Sequence, residues 1–415
     1  MTVADRWQIN PQHFWMRGEQ PEHPVSFDRE KGFWNVYGYP EALEILSNPK
    51  VFSSDTSRLS EVRVDPELTE GNLVQMDDPG HGRLRRLVSH AFTPKIVNDL
   101  APRIAELTHE LLDEHAGRDR IELVSDLAYP LPVIVIAELL GVPSSDRHLF
   151  KEWAEVLFDP DNEITMNMPA EEQRRRMQEF VAKRQSIRDY FLGHAAERRT
   201  RPREDLLTQL VRAEVDGERL TDDQVVNFAN LLLLAGHITT TLLLGNTVLC
   251  LDAHPDQAER VRADRSLVPT AIEESVRFLS PFALVARATN TDVEIAGTPV
   301  PRDQLLLVWV AAANRDPRQF ADPHAFDIGR APGSHLGFGR GVHFCLGAPL
   351  ARLEGRIVLD ILLDRFPKLR TDPDNPPVFR TNFEMNGVRE LPLVARSGPA
   401  ASASHESETG PASPN

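Results

Sequence analysis

The residues best suited to chemistry lie in a glycine-rich stretch, residues 337–347, with the sequence GFGRGVHFCLG. It contains Cys345, one of two cysteines in the chain. A lone cysteine cannot form a structural zinc site, which needs four ligands, and the other cysteine, Cys250, lies in an apolar helical pattern that disfavours a disulfide. A single cysteine is usually a small buried hydrophobic residue. Here the glycines permit close backbone approaches, which can direct N–H groups at the sulfur and hold it as a thiolate against a metal.

The ten residues from Phe338 to Gly347 resemble the haem-binding signature of the cytochrome P450 family, in its soluble bacterial form. The resemblance implies that the cofactor is haem b, that the Cys345 thiolate is the axial ligand of its iron, and that Phe338 also contacts it. In this family the thiolate donates electron density that favours O–O cleavage.

A second cluster of candidate residues lies in the sequence DPGHGRLRR, residues 78–86. A helix that begins near Pro79 would place His81 and Arg85 four residues apart on one face, where both can reach one anionic group. From spacing alone, a charged helix start is an equally good interpretation. The resemblance implies that His81 and Arg85 bind the haem propionates, together with Arg287 and His343.

A long apolar helix must position these groups, and the sequence predicts it over residues 222–254. Thr221 and Gln224 have the form of a capping box, and Pro255 follows the far end. About 33 residues give a rod of roughly 50 Å. Its middle is apolar enough for a membrane span, but interrupting polar residues and the lack of flanking basic clusters favour a helix in a protein core.

The middle of this helix reads Ala235-Gly236-His237-Ile238-Thr239. The resemblance implies that Ala235 and Gly236 lie against the haem and that Thr239 is the proton-relay hydroxyl. Ile238 stands where the family usually has Asp or Glu and cannot carry protons. We therefore expect water held by Thr239, or a hydroxyl of the substrate, to deliver them. His237 is expected to be a core or surface histidine.

The remaining pattern predicts a mostly α fold with a small β region, in which haem lies between the long helix and the cysteine loop. Strands are expected near residues 33–38, 281–289, 293–297 and 305–310, and helices over 40–46, 96–140 with breaks at Gly117, Pro130 and Pro132, 146–158, 170–199 and 348–366. Residues 159–169 are predicted to be either a lid over the substrate entrance or a plain connector. Residues 282–285 and the hairpin tip at 381–387 are expected to contact substrate. Glu274 and Arg277 are expected to form an ion pair, and the resemblance implies that together with Arg315 they lock the core behind the haem.

The composition favours one domain over residues 1–396, with a disordered tail over 397–415. The N-terminus lacks the features of a signal peptide, and the low cysteine content suits a reducing compartment, so we expect a cytoplasmic protein. Forty-six basic against 62 acidic residues give a net charge of −16, which disfavours nucleic acid as a partner. Basic residues concentrate in two stretches, either as ordinary solvated side chains or as a docking face for an acidic electron-transfer protein: Arg83, Arg85, Arg86, Lys95, and Arg330, Arg340, Arg352, Arg356.

The resemblance implies a monomeric monooxygenase, not bound to a membrane. It would insert one oxygen atom from O2 into a C–H or C=C bond of an apolar secondary metabolite, such as a macrolide, another polyketide or a terpenoid. Electrons derived from NAD(P)H would come through a separate ferredoxin reductase and ferredoxin, or with less support a flavodoxin. Two alternatives remain open: a haem protein of the same fold that uses peroxide or does not turn over, and a helical scaffold without cofactor.

Overall fold

The computed structural model describes residues 3–59, 70–89, 92–146, 148, 149, 153, 169–215, 217–331 and 333–396. In these ranges the chain is mostly helical with small sheets, which confirms the predicted fold class. The predictions for residues 159–168 and 397–415 fall outside the described residues.

Thirteen α-helices lie in the described ranges, and most of the larger ones pack on one another. Their bounds are Val3–Arg6, Tyr39–Ser47, Gly80–Ser89, Pro94–Asp99, Ala101–Asp113, Pro130–Leu140, Ala170–Thr200, Leu206–Arg212, Asp222–Ala253, Pro255–Ala263, Val268–Phe278, Val310–Ala313 and Ala348–Arg365.

The helix Asp222–Ala253, here the central helix, contacts Pro130–Leu140, Ala170–Thr200, Val268–Phe278 and Ala348–Arg365. Its predicted capping box is present: the Thr221 hydroxyl accepts from the Gln224 amide and the Gln224 side chain accepts from the Thr221 amide, each at 3.1 Å. Among the described helices it alone is long and apolar enough to span a membrane, and 72% of its most apolar window is buried in the protein. Its apolarity therefore serves the core.

The largest sheet has five strands in the order Val25–Asp28, Phe33–Val36, Leu305–Val308, Val285–Thr289 and Phe52–Ser53. Only the pairing of Leu305–Val308 with Phe33–Val36 is parallel. The smaller sheets comprise Lys368–Thr371 with Pro392–Arg396 and Arg120–Glu122, Val378–Phe379 with Val388–Glu390, Glu214–Val215 with Glu218–Arg219, and Val293–Ile295 with Thr298–Val300.

The region from residue 96 to 140 differs from its prediction. A strand, Arg120–Glu122, and a wide π-type turn, Val124–Ala128, follow the helix Ala101–Asp113. Pro130 does not interrupt a helix but begins one, Pro130–Leu140. Proline suits the first helical turn because the N–H that it lacks would have no partner there.

The predicted ion pair of Glu274 and Arg277 is buried, with guanidinium–carboxylate contacts of 2.7 and 2.8 Å. The fully buried Arg315 lies near this pair and donates to the Phe278 carbonyl, and a further arginine, Arg330, lies 3.4 Å from Glu274. The sequence did not indicate the contact of Arg330 with Glu274, because 56 residues separate them in the chain.

Candidate functional site

The cysteine loop, residues 337–347, is folded back on itself by backbone hydrogen bonds. The Cys345 amide donates to the Phe338 carbonyl at 2.9 Å, and the Phe344 amide donates to Gly341 at 3.1 Å. Gly341 has a φ of +69°, and a Cβ there would lie 2.5 Å from the Leu46 carbonyl oxygen. Only glycine fits this crossing of the loop over the end of the helix Tyr39–Ser47.

Cys345 is a free, exposed cysteine. As expected from the sequence, it does not pair with Cys250, which is free and buried. The protein around the sulfur is nevertheless dense enough that burial raises the pKa of the thiol. Hydrogen bonds from the amides of Gly347 and Ala348, and the charges of Arg85 and Arg352, act in the opposite direction. These donors lie at the start of the helix Ala348–Arg365, so the loop provides stabilisation for a thiolate.

Phe338, at the start of the cysteine loop, is held in place by charged side chains of the neighbouring helices. The Arg352 guanidinium lies 4.4 Å from the centre of its ring and forms a two-point ion pair with Glu273 at 2.6 and 2.8 Å. His335 contacts the same carboxylate at 3.1 Å. This support could not be predicted from the sequence, because Glu273 and Arg352 lie 79 residues apart.

Four side chains, the basic cluster of His81, Arg85, Arg287 and His343, converge beside the cysteine loop. The rings of His81 and His343 lie 4.1 Å apart, and Arg85 donates to the carbonyl of Phe344, the residue before Cys345. Arg287 influences the titration of both histidines. The structure thus brings together the four residues that the sequence predicted from three separate segments.

The two arginines of the basic cluster lack a close counter-ion, whereas Nδ1 of His81 lies 3.9 Å from Asp78. In the part of the chain that the structure describes, no carboxylate lies within 4.0 Å of Arg85 or Arg287, and Nε2 of the buried His81 has no hydrogen-bond partner. Burial lowers the pKa of Arg287 to about 10, and burial with the nearby His81 and Arg287 lowers that of His343 to about 3. A ligand with carboxylates would relieve both penalties, so the cluster fits haem propionates.

Sequence reasoning missed two groups beside this cluster. The Ser54 hydroxyl lies 2.9 Å from Nε2 of His343. Asp77 accepts from the Ser54 amide at 2.9 Å and from the Ser53 hydroxyl. Serines in a loop carry no distinctive signal, so only the three-dimensional arrangement identifies them.

The central helix exposes a narrow stripe in its otherwise buried middle. Ala235 is exposed, and Leu231 and Thr239, four residues to either side, are half-buried, as are its neighbours Leu234 and Gly236. The Thr239 hydroxyl donates to the Ala235 carbonyl at 2.6 Å, which leaves its lone pairs as acceptors on the accessible face. A Cβ on Gly236 would point at Ile136, 3.0 Å away, so this glycine allows the helix Pro130–Leu140 to approach.

His237 and Ile238, the two residues between Gly236 and Thr239, belong to the core. Ile238 is 4% exposed, and His237 is fully buried with Nε2 3.1 Å from the Tyr129 carbonyl oxygen. Burial lowers the pKa of His237 to about 3, so the ring is neutral. His237 is therefore the core histidine that the sequence allowed, and it cannot replace the missing acid at position 238.

Residues 282–285 divide between core and open space. Phe282 is 38% exposed and Val285 is half-buried, whereas Ala283 and Leu284 are buried. Phe282 pairs with Met385 of the hairpin tip, residues 381–387. Two of the four residues expected to contact substrate are thus accessible, and the hairpin tip lies next to them.

Comparison with known proteins bears on this arrangement. The family model described as Cytochrome P450 matches residues 5–393. Cyclomarin C epoxidase CymV of Salinispora arenicola is 46% identical over 358 residues, 86% of this chain and 89% of the relative. Erythromycin C-12 hydroxylase of Saccharopolyspora erythraea is 41% identical over 392 residues, 94% of this chain and 96% of the relative.

Solved structures give the same result. The crystal structure of HmtT, involved in himastatin biosynthesis, superimposes with a TM-score of 0.88 at 56% identity and covers 95% of this chain and 100% of that chain. From the cysteine loop, the basic cluster and these similarities together, we conclude that the chain belongs to the cytochrome P450 family.

Proposed function

We propose that this protein is a haem-thiolate monooxygenase that transfers one oxygen atom from O2 to a C–H or C=C bond of an apolar secondary metabolite. The observation that carries the proposal is the exposed Cys345, whose sulfur is supported by two backbone amides, next to four basic side chains of which the two arginines have no carboxylate within 4.0 Å among the described residues. Hydroxylases and epoxidases among the relatives support the reaction class.

Each site residue has a proposed role in holding haem b. Cys345 is the iron ligand, and the basic cluster binds the propionates through charge-assisted hydrogen bonds, for which the planar guanidinium of Arg is well suited. Phe338 is proposed to contact the haem on its cysteine side. On the other side of the haem, the exposed Ala235 keeps the central helix free of bulk, and Gly236 lets the helix Pro130–Leu140 pack against the central helix at this point.

Bound haem supplies the activation of O2 and its cleavage, in which two electrons and two protons convert O2 and substrate into oxygenated product and water. The chain's contribution to proton delivery is Thr239. Because its hydroxyl proton is committed to the Ala235 carbonyl, its oxygen is oriented to accept from a water and hold it in the accessible space. Ile238 places no acid behind this water, so the protons must come from solvent or from a hydroxyl of the substrate.

The substrate is proposed from the pocket and the relatives. The accessible side chains Leu231, Phe282 and Val285 are apolar and offer contact area without charge. The relatives' names include an erythromycin hydroxylase and the monooxygenase PikC. A macrolide, another polyketide or a terpenoid therefore fits best.

Electrons are proposed to arrive from a ferredoxin, reduced by a ferredoxin reductase with NAD(P)H, at the outer face of the cysteine loop. Val342 and Phe344 are 38% and 37% exposed there, and Lys95, Arg340 and Arg356 are exposed basic residues of the two basic stretches. Arg330 and Arg352 are less available because they pair with Glu274 and Glu273. A cytoplasmic, monomeric protein is consistent with such a partner.

The decisive first experiment is the visible spectrum of purified protein, reduced with dithionite under carbon monoxide. A Soret maximum at the long-wavelength position of thiolate ligation is expected for the wild type and should be lost in Cys345→Ser. A maximum at the ordinary haem position in the wild type, or none, would overturn the proposal.

The second experiment separates O2-dependent turnover from the alternative of a peroxide-using protein, which Ile238 keeps open. The protein is supplied with ferredoxin, reductase and NADPH, or with hydrogen peroxide alone, and a panel of macrolides is screened for oxygenated product. Product only with peroxide, or NADPH consumption without product, would favour the alternative. Thr239→Ala should raise NADPH consumption per product about a hundredfold, the lower end of the usual range for a proton-transfer group, and Thr239→Ser should not.

A further inference from the structure

We propose that Asn246 is a positioning residue that joins the hairpin tip and residues 279–285 to the central helix, and so sets the shape of the substrate pocket. The inference rests on the proposed function only in taking the accessible space beside Thr239 as the substrate pocket.

The Asn246 side chain is fully buried and uses both N–H groups of its amide. One donates to the Leu279 carbonyl at 2.9 Å and the other to the Asn386 carbonyl at 3.0 Å. These acceptors belong to segments 33 and 140 residues away in sequence. One side chain thus holds two chain segments to one point on the helix.

The two segments also pair with each other beyond this point. The Asn386 amide donates to Pro281, and the Ala283 amide donates to Glu384, both at 2.8 Å. Phe282 and Met385 face each other in an antiparallel bridge. These backbone contacts begin beside the two carbonyls that Asn246 binds. A shift at Asn246 would therefore move Phe282 and Met385 together.

Glycines allow the unusually close contact. A Cβ on Gly387 would lie 2.6 Å from Oδ1 of Asn246, and a Cβ on Gly245 would lie 2.6 Å from a methyl carbon of Val388. A side chain at either position would push the hairpin tip away from the helix. The tip is therefore positioned by steric fit as well as by hydrogen bonds.

The other side of the hairpin tip is held by the N-terminal segment. Asn10 donates to the Thr381 carbonyl at 2.7 Å, and Nε2 of the buried His13 lies 2.9 Å from the Phe383 carbonyl oxygen. Anchors at 381, 383 and 386 leave Glu384 and Met385 as half-buried side chains between them. The tip is thus a fixed wall and not a free loop.

Asn246 lies seven residues, about 10 Å along the axis, from Thr239 on the same helix. The wall and the proton-relay hydroxyl are therefore aligned by one rigid element. A bulky molecule that contacts the wall should depend on Asn246, whereas a small one that reaches only the iron should not.

The test compares Asn246→Ala with Thr247→Val in the haem-loaded protein. Thr247 is a matched control because it is equally buried and its hydroxyl donates within the helix, to Leu243 at 2.8 Å. Imidazole and the much larger clotrimazole are titrated, with the Soret shift as readout, and hydrogen exchange is followed in peptides covering 279–286 and 381–388. Gly387→Ala, which keeps Asn246 and displaces the tip, is measured in parallel.

We expect Asn246→Ala and Gly387→Ala to change the Kd of clotrimazole by about five- to tenfold, the size of one or two net hydrogen bonds, with imidazole unchanged within twofold. Exchange should accelerate in both peptides for Asn246→Ala and in neither for Thr247→Val. Equal changes for both azoles, or none for clotrimazole with either variant, would overturn the proposal. If Asn246→Ala does not retain haem, the clotrimazole and imidazole titrations of Gly387→Ala decide the test. A wild type without the thiolate-type carbon monoxide spectrum would instead refute the proposed function.

Discussion

Glu354 offers a direct test of how burial controls the stability of this fold. It lies in the helix Ala348–Arg365, is 1% exposed, and its Oε2 atom has no hydrogen-bond partner among the described residues. Burial raises its pKa from 4.5 to about 8. The folded protein therefore keeps this carboxyl neutral at pH 7, whereas the unfolded chain ionises it.

The magnitude follows from proton linkage. Below pH 4.5 the carboxyl of Glu354 is neutral in both the folded and the unfolded state, so it does not change the free energy of unfolding. As pH rises from there to 8, each unit favours the unfolded state by about 1.4 kcal/mol, so the free energy of unfolding falls by about 5 kcal/mol in total. With an unfolding entropy of about 2 cal/mol/K per residue, this corresponds to about 6 °C in Tm for a chain of this size.

Glu354→Gln removes the titration at nearly constant shape. We expect its Tm to exceed that of the wild type by about 1 °C at pH 5 and by about 6 °C at pH 9, measured by circular dichroism on the haem-loaded proteins. The exposed Glu259, changed to Gln, is the control and should show a Tm difference that does not vary with pH. A constant difference for Glu354→Gln, or one that grows as pH falls, would refute the reasoning.

Three further substitutions test the fold and the basic cluster. Arg277→Met should destabilise the protein by about 3–5 kcal/mol, seen as a lower Tm, because it leaves the buried Glu274 carboxylate without its main partner; a change below 1 kcal/mol would contradict this. Gly341→Ala should lower both Tm and the thiolate-type carbon monoxide signal, since the added methyl overlaps the Leu46 carbonyl, and an unaltered spectrum would disprove that fit. Arg287→Leu should speed haem transfer to apomyoglobin about tenfold through loss of a charge-assisted hydrogen bond, while the Soret position stays unchanged; unaltered transfer would exclude Arg287 as a propionate anchor.

The features that the sequence predicted are those that neighbouring residues encode. The capping box of Thr221 and the four-residue spacing of His81 and Arg85 are local patterns, and the structure contains both helices. The cysteine loop could be identified because its motif is contiguous.

The features that the sequence did not predict depend on contacts between distant segments. Glu273 meets Arg352, and Asn246 meets Asn386, only after the helices have packed. The contact of Arg330 with Glu274 likewise forms only in the folded chain. Periodicity reports which face of an element is buried but not what covers it.

The basic cluster has a consequence for how the protein is made in the cell. Before haem arrives, the half-buried Arg85 and the buried Arg287 have no carboxylate within 4.0 Å among the described residues, so the helix Gly80–Ser89 and the strand Val285–Thr289 carry charges whose burial costs folding free energy. The cofactor then acts as the counter-ion that completes folding, because a ligand bound only by the native state stabilises it. Under haem starvation we expect these two segments to be the first substrates of cellular proteases, so that the yield of intact protein follows the haem supply.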